Sequence, residues 1–417
     1  MGRIMSEPVK KIFMLVMDGM ADRACPALRG MTPLQYIRTP NMDWFVEHGC
    51  SGLCDPISPG VRAGSDTAHL SLLGYDARDV YTGRGPFEVI GAGFDMQPGD
   101  VAFRCNFATV NSDMEVLDRR AGRIRAPETV ELAEAVDGMV IDGVECIVKA
   151  SNEHRAFLLL RGDGLSPDVT DCDPGRDTRV AQCLPLNDDA AFTADVVNRF
   201  MEECYDRLRM HTTNRKRSAA GLPPANILLP RGAGGYPTRI EPFTEKYGLS
   251  AACVAGVGLV KGVCKVCGLD VYPLPGLCDG SMESDLILKM QSALNAIDEY
   301  DFVLMNIKAP DIAGHDGDAK AKAEVVKRID DAIGLFRSEL PDDIVAVFTC
   351  DHSTPCSLED HSADPVPISF YTEGMVRDYA DEFSETGCSK GFVGRIRATD
   401  VVPICMDLAN RTEKFGS

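Results

Sequence analysis

The chain has 417 residues, of which 45% are hydrophobic and 25% charged, and its formal net charge at pH 7 is -20. This length favours two domains, or one large domain with an insertion, and supplies enough apolar material for a sizeable core. The negative charge argues against nucleic acid and anionic membranes as partners, and the lack of a long apolar stretch argues against a transmembrane helix.

The first predicted element is a strand near the start of the chain. Residues 12–17 form a continuous apolar run that ends at Asp18, a pattern typical of a strand buried on both faces of a parallel sheet. The run is too short for a signal peptide, so we predict a cytoplasmic protein. Thr39 and Pro40 then predict the start of a helix that ends at Gly49.

A further helix is predicted to open at Ser65. This serine lies between Gly64 and Asp66 and precedes the apolar run 68–73. A helix N-terminus stabilises an anion such as a phosphate, and a bound metal would help to deprotonate the hydroxyl. Ser65 is therefore a candidate nucleophile, and the alternative is that it simply caps the helix.

The middle of the chain has a different pattern. From residue 77 to 225 it is rich in Arg and Asp and contains short predicted strands at 146–149 and 156–160. The polar and then proline-rich segment 211–224 is expected to be a linker that returns to the first domain. A candidate basic pocket for an anionic substrate is formed by Arg119, Arg120, Arg123 and Arg125.

Strand and helix alternate again near the C-terminus, with strands predicted at 302–307 and 344–349 and a helix at 319–340. This alternation predicts a doubly wound α/β core. We therefore predict a core domain made of residues 1–76 and 226–417, with a smaller α+β domain inserted at 77–225.

Sixteen cysteines without a predicted signal peptide favour free thiols over disulfides. Cys264 and Cys267 form a CxxC motif, with Cys253 as a candidate third zinc ligand. A structural zinc site would require a second such pair, and none is evident. Buried thiols without a ligand are therefore the favoured interpretation.

Acidic residues and histidines concentrate where the predicted strands end. Ligands of doubly wound sheets bind beyond the carboxyl ends of the strands, and Asp and imidazole together suit Zn²⁺ or Mn²⁺. The chain has only seven histidines, so several of them beside strand-end acids predict a metal centre. The candidate ligands are Asp18, Asp311, His315, Asp351, His352 and His361.

Longer motifs make the chain similar to a known family. They are MDGMAD at 17–22, TPNMD at 39–43, GSDTAHLSLLGYD at 64–76, YTGRGPFEVIG at 81–91, DVAFRCNFATV at 100–110, IKAPDIAGHDGD at 307–318 and FTCDHSTPCSLEDHSADPVPI at 348–368. Over nearly its whole length, the chain resembles the alkaline phosphatase superfamily and, within it, the archaeal 2,3-bisphosphoglycerate-independent phosphoglycerate mutases.

The resemblance implies an alkaline-phosphatase-like core that interconverts 2-phosphoglycerate and 3-phosphoglycerate in glycolysis and gluconeogenesis, without 2,3-bisphosphoglycerate. It implies two divalent metal ions, most readily Mn²⁺ or Zn²⁺, with Co²⁺ or Mg²⁺ as alternatives. Ser65 would be the nucleophile and form a phosphoserine. The implied ligands are Asp311, His315 and His361 for one ion, and Asp18, Ser65, Asp351 and His352 for the other.

The resemblance also implies substrate-binding residues and a role for the insertion as a lid that keeps water from the phosphoserine. His154 would transfer protons to and from the glycerate hydroxyls. Arg84 and Arg104 are weaker candidates. The implied phosphoglycerate-binding residues are Asp118, Arg119, Arg120 and Arg155 from the insertion, with Lys261 and Lys308 from the core.

Two alternatives stay open at the level of sequence. The same two-metal core would serve a phosphatase or a homoserine-kinase-like phosphotransferase. A non-catalytic metal-binding or regulatory protein, using the cysteine-rich segment 253–278, is the other alternative. The sequence leaves the oligomeric state open.

Overall fold

The computed structural model describes residues 9–151, 153–175 and 179–416. In these ranges the strands are β1 (Lys11–Met17), β2 (Cys50–Asp55), β3 (Val101–Val110), β4 (Val116–Asp118), β5 (Met139–Ile141), β6 (Val144–Ala150), β7 (Arg155–Arg161), β8 (Ile227–Gly235), β9 (Ala251–Val254), β10 (Asp270–Val271), β11 (Phe302–Ile307), β12 (Ile344–Thr349), β13 (Val366–Tyr371) and β14 (Gly394–Arg397).

The helices of the same ranges are α1 (Pro33–Tyr36), α2 (Pro40–His48), α3 (Ser65–Leu72), α4 (Ala77–Val80), α5 (Gly85–Gly91), α6 (Glu128–Glu134), α7 (Ala191–Arg209), α8 (Thr212–Ala219), α9 (Phe243–Tyr247), α10 (Gly258–Val266), α11 (Leu286–Glu299), α12 (Ala309–His315), α13 (Ala319–Ser338), α14 (Glu385–Cys388) and α15 (Val401–Leu408). None of these described helices combines the length and the apolar character that a membrane crossing requires.

The chain forms two compact units. The core unit combines the chain up to Val80 with the part from Arg239 onward, and the inserted unit runs from Tyr81 to Thr238.

The described part of the core unit contains an eight-stranded sheet with the order β10-β9-β11-β1-β12-β13-β2-β14. Strands β9, β11, β1 and β12 run parallel, whereas β13 is antiparallel to both of its neighbours. The strands predicted at 12–17, 302–307 and 344–349 are present as β1, β11 and β12, and β1 lies between the other two. The predicted α/β fold class is thereby confirmed.

The central strand β1 is covered on both faces, because every residue from Ile12 to Met17 is fully buried. Phe13 stacks on Phe336 of α13 with ring centroids 4.5 Å apart, and Phe45 of α2 packs on Phe348 of β12 at 4.6 Å. Each such ring stabilises the fold by about 1.5–3 kcal/mol through burial. This aromatic cluster therefore attaches α2 and α13 to the sheet.

The inserted unit is an α+β structure. Its described strands form a six-stranded sheet in which β3 pairs with β4, β7 and β8, and β6 joins β7 to β5. All of these pairs are antiparallel. The long helix α7 buries an apolar stripe that includes Val197, Phe200 and Cys204 in the core of this unit.

The segment 211–224 is not a linker, and that prediction is wrong. It contains α8, and the chain continues from it into β8 of the inserted unit. The Nδ2 atom of Asn214 donates to the carbonyl oxygens of Leu208 and Ala225, both at 2.8 Å. Arg217 is also buried and donates to Ala121 and Pro223. Most of the segment is exposed, and the polar residues that it does bury can be buried because they are hydrogen-bonded.

All sixteen cysteines are buried as free thiols. Cys253, Cys264 and Cys267 belong to none of the groups of His, Cys, Asp and Glu side chains that approach closely enough to share an ion in the described structure. Their contribution to the fold is apolar burial.

Candidate active site

The topology of the core sheet brings three aspartates together. Because β11, β1 and β12 are parallel neighbours, their carboxyl ends meet at one edge of the sheet. Asp18 follows β1 directly, Asp351 comes two residues after β12, and Asp311 lies in the first turn of α12 after β11. All three are buried, with relative exposures of 0–3%.

Gly19 lets the chain turn sharply behind Asp18. Its φ of +63° lies in the left-handed region, and its N–H donates to Asp351 Oδ1 at 2.9 Å. A Cβ atom at this position would lie 2.5 Å from Thr354 Oγ1 and 2.7 Å from Asp311 Oδ1. The turn is therefore packed directly against the candidate ligands.

At this edge of the sheet, two groups of described side chains have the composition and spacing of metal sites. One contains Asp18, Asp351 and His352, and the other contains Asp311, His352 and His361. The ligand atoms of each group lie within 4.8 Å of one another. His352 belongs to both groups, since its Nε2 atom lies 3.6 Å from Asp18 Oδ1 and 3.3 Å from Asp351 Oδ2. The two groups are therefore adjacent.

The outer histidines direct their Nε2 atoms towards Asp311. The Nε2 atoms of His315 and His361 each lie 3.5 Å from Asp311 Oδ1 and 3.3 Å from each other. The Nδ1 atoms lie 2.8 Å from the carbonyl oxygens of Glu359 and Ala63, respectively. A carbonyl oxygen only accepts, so Nδ1 carries the proton and Nε2 keeps its lone pair when the ring is neutral.

Ser65 is the first residue of α3, and Gly64 occupies the N-cap position. The Ser65 Oγ atom lies 3.1 Å from His352 Nε2 and 3.3 Å from Lys308 Nζ. Its side chain thus points at the shared histidine, where both the helix N-terminus and the ammonium group favour an oxyanion.

Charges in this cluster are only partly compensated within the described residues. Lys308 Nζ lies 2.8 Å from Asp18 Oδ1 and 2.7 Å from Asp311 Oδ2. Burial and the neighbouring Asp351 raise the pKa of Asp18, while burial lowers the pKa of His352 to about 3, so its imidazole is neutral. Burial alone would lower the pKa of Lys308, but Asp18 and Asp311 raise it above its ordinary value.

The surroundings of the Oδ2 atom of Asp351 are evidence for a cation site in this cluster. It is buried, and in the described structure no hydrogen-bond donor reaches it. A buried carboxylate oxygen without a partner is costly, and a divalent ion would remove that cost. With the neutral imidazole of His352 and other carboxylates beside it, the donor set fits Mn²⁺, Zn²⁺ or a similar ion.

Sequence reasoning missed the residues that hold Asp18 and the backbone of Ser65. Asn306 Nδ2 donates to Asp18 Oδ2 at 3.1 Å and lies 3.3 Å from His69 Nε2. The Nδ1 atom of His69 donates to the carbonyl oxygen of Ser65 at 2.7 Å. A signal was present, because Asn306 is the one polar residue of the otherwise apolar strand β11.

The inserted unit places several cationic residues on one face of its sheet. Arg104 lies opposite Arg231 on β8, and Asn106 lies opposite Arg155 on β7. Opposite residues and residues two apart share a face, so all four side chains project from the same side. Burial and the adjacent Arg84 lower the pKa of Arg104 to about 8.

His154 lies near these arginines. Its side chain is buried, and burial together with Arg155 and Arg120 lowers its pKa to about 4. No hydrogen-bond partner reaches its Nδ1 atom within the residues that the structure describes. A neutral, unpaired imidazole beside cations is available to exchange a proton with a bound hydroxyl.

The other predicted substrate residues have different surroundings. Asp118 accepts from the backbone N–H groups of Arg120 and Gly122, both at 2.7 Å, which makes it part of a turn. Arg119 binds Asp173 through two hydrogen bonds. Lys261 lies half-buried on α10. Among the described residues, it makes no hydrogen bond or ion pair with a candidate metal ligand.

Comparison with known sequences identifies close relatives. A family model described as 2,3-bisphosphoglycerate-independent phosphoglycerate mutase matches residues 47–214. A relative of that name from Methanopyrus kandleri is 48% identical over 417 residues, which cover 98% of each chain. Another from Methanocaldococcus jannaschii, named 2,3-bisphosphoglycerate-independent phosphoglycerate mutase 1, is 45% identical over 411 residues, covering 98% of this chain and 99% of the relative.

Solved structures agree with the sequence comparison. A cofactor-independent phosphoglycerate mutase from Thermoplasma acidophilum is 39% identical, with a TM-score of 0.70, and the match covers 96% of this chain and 100% of that one. A protein from Pyrococcus horikoshii is 36% identical, with a TM-score of 0.86, over 98% of this chain and 100% of that one. The fold therefore extends over both units of the chain.

Proposed function

The chain belongs to the 2,3-bisphosphoglycerate-independent phosphoglycerate mutase family, and we propose that it interconverts 2-phosphoglycerate and 3-phosphoglycerate by passing the phosphoryl group through Ser65. The observation that carries this proposal is the position of Ser65 Oγ, 3.1 Å from the histidine that both candidate metal groups share. A nucleophile at this point can receive a phosphoryl group and return it.

We further propose that the core unit holds two divalent ions, with Mn²⁺ or Zn²⁺ the best match to mixed Asp and His ligands. The unpartnered Oδ2 atom of Asp351 and the aligned Nε2 atoms of the outer histidines support this proposal. When bound, the ions would offset the carboxylate charges and polarise the phosphoryl oxygens. The proposed ligands are Asp18, Ser65, Asp351 and His352 for one ion, and Asp311, His315 and His361 for the other.

In the first half-reaction, Ser65 Oγ attacks the phosphorus of 3-phosphoglycerate. The bond from phosphorus to Oγ forms, the bond to the glycerate oxygen breaks, and the serine proton ends on that oxygen. Lys308 Nζ, 3.3 Å from Oγ, stabilises the developing negative charge. The second half-reaction reverses these steps with the other glycerate hydroxyl, so no water enters the balance.

Glycerate must stay bound between the two half-reactions, and we propose that cationic residues of the inserted unit bind its anionic groups. Guanidinium groups suit carboxylates and phosphates because they donate two parallel hydrogen bonds. The arginines shared by one sheet face and the neutral His154 support this assignment. The proposed residues are Arg104, Arg119, Arg120, His154 and Arg155.

The test is turnover of 3-phosphoglycerate by the purified protein, coupled to enolase, first after chelation and then with added Mn²⁺ or Zn²⁺. We expect 2-phosphoglycerate to form only with metal present, and Ser65→Ala to be inactive. Release of inorganic phosphate without formation of 2-phosphoglycerate would instead indicate a phosphatase and contradict the mutase proposal.

A further inference from the structure

Asp173 is a buried carboxylate among the guanidinium groups of the inserted unit. Its side chain is only 1% exposed. Its Oδ1 accepts from Arg119 Nε at 2.8 Å, and its Oδ2 accepts from Arg119 Nη2 at 2.7 Å. Asn106 Nδ2 also donates to Oδ2 at 3.2 Å, and Arg231 Nε lies 3.8 Å away.

This arrangement fixes the direction of Arg119. Two parallel hydrogen bonds fix a guanidinium group in orientation, because any tilt or rotation of the group would break at least one of them. Asp173 occupies the Nε and Nη2 edge, so the opposite edge of the partly exposed Arg119 presents its donors in one direction. Arg119 is thereby preorganised, which lowers the entropy cost of binding an anion.

The same carboxylate also offsets charge repulsion inside the cluster. Arg104 and Arg231 lie opposite each other on β3 and β8, and their like charges oppose close packing. The Nε atom of Arg231 has no hydrogen-bond partner among the described residues, and Asp173 is the carboxylate found in ion-pair contact with it. Without the charge of Asp173, repulsion would drive the guanidinium groups of Arg104 and Arg231 apart.

We propose that Asp173 is a positioning residue for phosphoglycerate: it orients Arg119 and keeps Arg231 in place, so that the arginine cluster binds the anionic substrate. This inference rests on the proposed function. Asp173 itself repels an anion, so it acts through the arginines and not by contact with the substrate.

Asp100 supplies a matched control in the same unit. It is equally buried, with a side chain 4% exposed, and accepts from Arg161 Nε at 3.1 Å and Nη2 at 2.7 Å. Arg161 is at the far end of β7 from Arg155 and is not a member of the proposed substrate cluster. Asp173→Asn and Asp100→Asn therefore remove the same kind of ion pair, but only the first touches Arg119.

With 3-phosphoglycerate and metal, we expect Asp173→Asn to raise KM by about tenfold or more, as the loss of a charge-assisted contact implies, with kcat within about threefold of wild type. Asp100→Asn should keep both constants near wild type. An unchanged KM for a folded Asp173→Asn protein, or an equal rise for Asp100→Asn, would overturn the proposal. If Asp173→Asn does not fold, Asp173→Glu replaces it, because the added methylene displaces the carboxylate from Arg119. The same rise in KM is expected, and an unchanged KM would again overturn the proposal.

A double-mutant cycle separates positioning from a general loss of structure. If Asp173 acts chiefly through Arg119, Asp173→Asn should raise KM by a smaller factor in the Arg119→Lys background than in wild type. An equal factor in both backgrounds would contradict the inference.

A second readout does not depend on turnover. In the chelated protein, inorganic phosphate should raise the unfolding temperature of wild type and Asp100→Asn more than that of Asp173→Asn, and equal shifts would argue against Asp173. Wild type that binds phosphate but forms no 2-phosphoglycerate would refute the proposed function and not the role of Asp173 in anion binding.

Discussion

Replacing Gly19 by alanine tests how closely the turn after β1 supports the candidate metal ligands. The φ of +63° is strained for any residue with a Cβ, at a cost of about 1–2 kcal/mol. The new Cβ would also lie 2.5 Å from Thr354 Oγ1 and 2.7 Å from Asp311 Oδ1, where contacts under 3.0 Å essentially never occur. These atoms must separate by at least about 0.5 and 0.3 Å, and such overpacking typically costs about 1–3 kcal/mol more.

The displaced atoms belong to one hydrogen bond. Thr354 Oγ1 donates to Asp311 Oδ1 at 2.7 Å and lies 3.1 Å from His352 Nδ1. Gly19→Ala should therefore weaken metal binding as well as the fold, by about 10- to 100-fold in affinity, which is the usual effect of disturbing the partners of metal ligands.

Gly30→Ala is the control for backbone strain alone. Gly30 has a φ of +78°, yet a Cβ there would meet nothing within 4 Å. We expect urea unfolding to show a loss of about 1–2 kcal/mol for Gly30→Ala and a larger loss for Gly19→Ala. Calorimetric titration with Mn²⁺ should show weaker binding only for Gly19→Ala, and wild-type affinity in that variant would refute this account of the turn.

Two further predictions concern single side chains. Asp351→Asn should raise the unfolding temperature of the chelated protein, because it removes a negative charge from a cluster of buried carboxylates and replaces an oxygen that no donor reaches. It should also abolish the stabilisation by Mn²⁺, and equal stabilisation of variant and wild type would argue against a ligand role. His154 has a pKa of about 4, below the ordinary 6.5, so the unfolded chain binds the proton first and stability falls as pH drops from 6.5 towards 4. Between about pH 7 and about pH 5 this loss amounts to at most about 2 kcal/mol, because solvent screening reduces it. Urea unfolding of His154→Gln should not show this loss of stability. The same pH dependence in variant and wild type would contradict the burial of a neutral imidazole.

The core of the fold could be predicted from sequence because local patterns coincide with tertiary constraints there. A strand buried on both faces is almost entirely apolar, so β1, β11 and β12 can be recognised in the sequence as runs of apolar residues. Parallel strands bring their carboxyl ends together, so the positions of Asp18 and Asp351 just after two such strands predict that these residues meet. Helix α13, predicted to reach residue 340, ends at Ser338.

The remaining features depend on contacts between residues that are distant in sequence. The polarity of α8 indicates a linker until Asn214 is seen to bond to Leu208 and Ala225 inside the unit. Asn306 stands out as the one polar residue of β11, but no local pattern indicates that it contacts Asp18, 288 positions away in sequence. The same holds for Asp173, whose proposed role depends on its contact with Arg119, 54 positions away in sequence.

The central claim is that Ser65 carries the phosphoryl group between the two half-reactions. Intact-protein mass spectrometry after rapid quenching with 3-phosphoglycerate and Mn²⁺ tests it most directly. We predict one added phosphate on the wild-type protein, located at Ser65, and none on Ser65→Ala. Added phosphate on both proteins would place the nucleophile elsewhere and contradict the account.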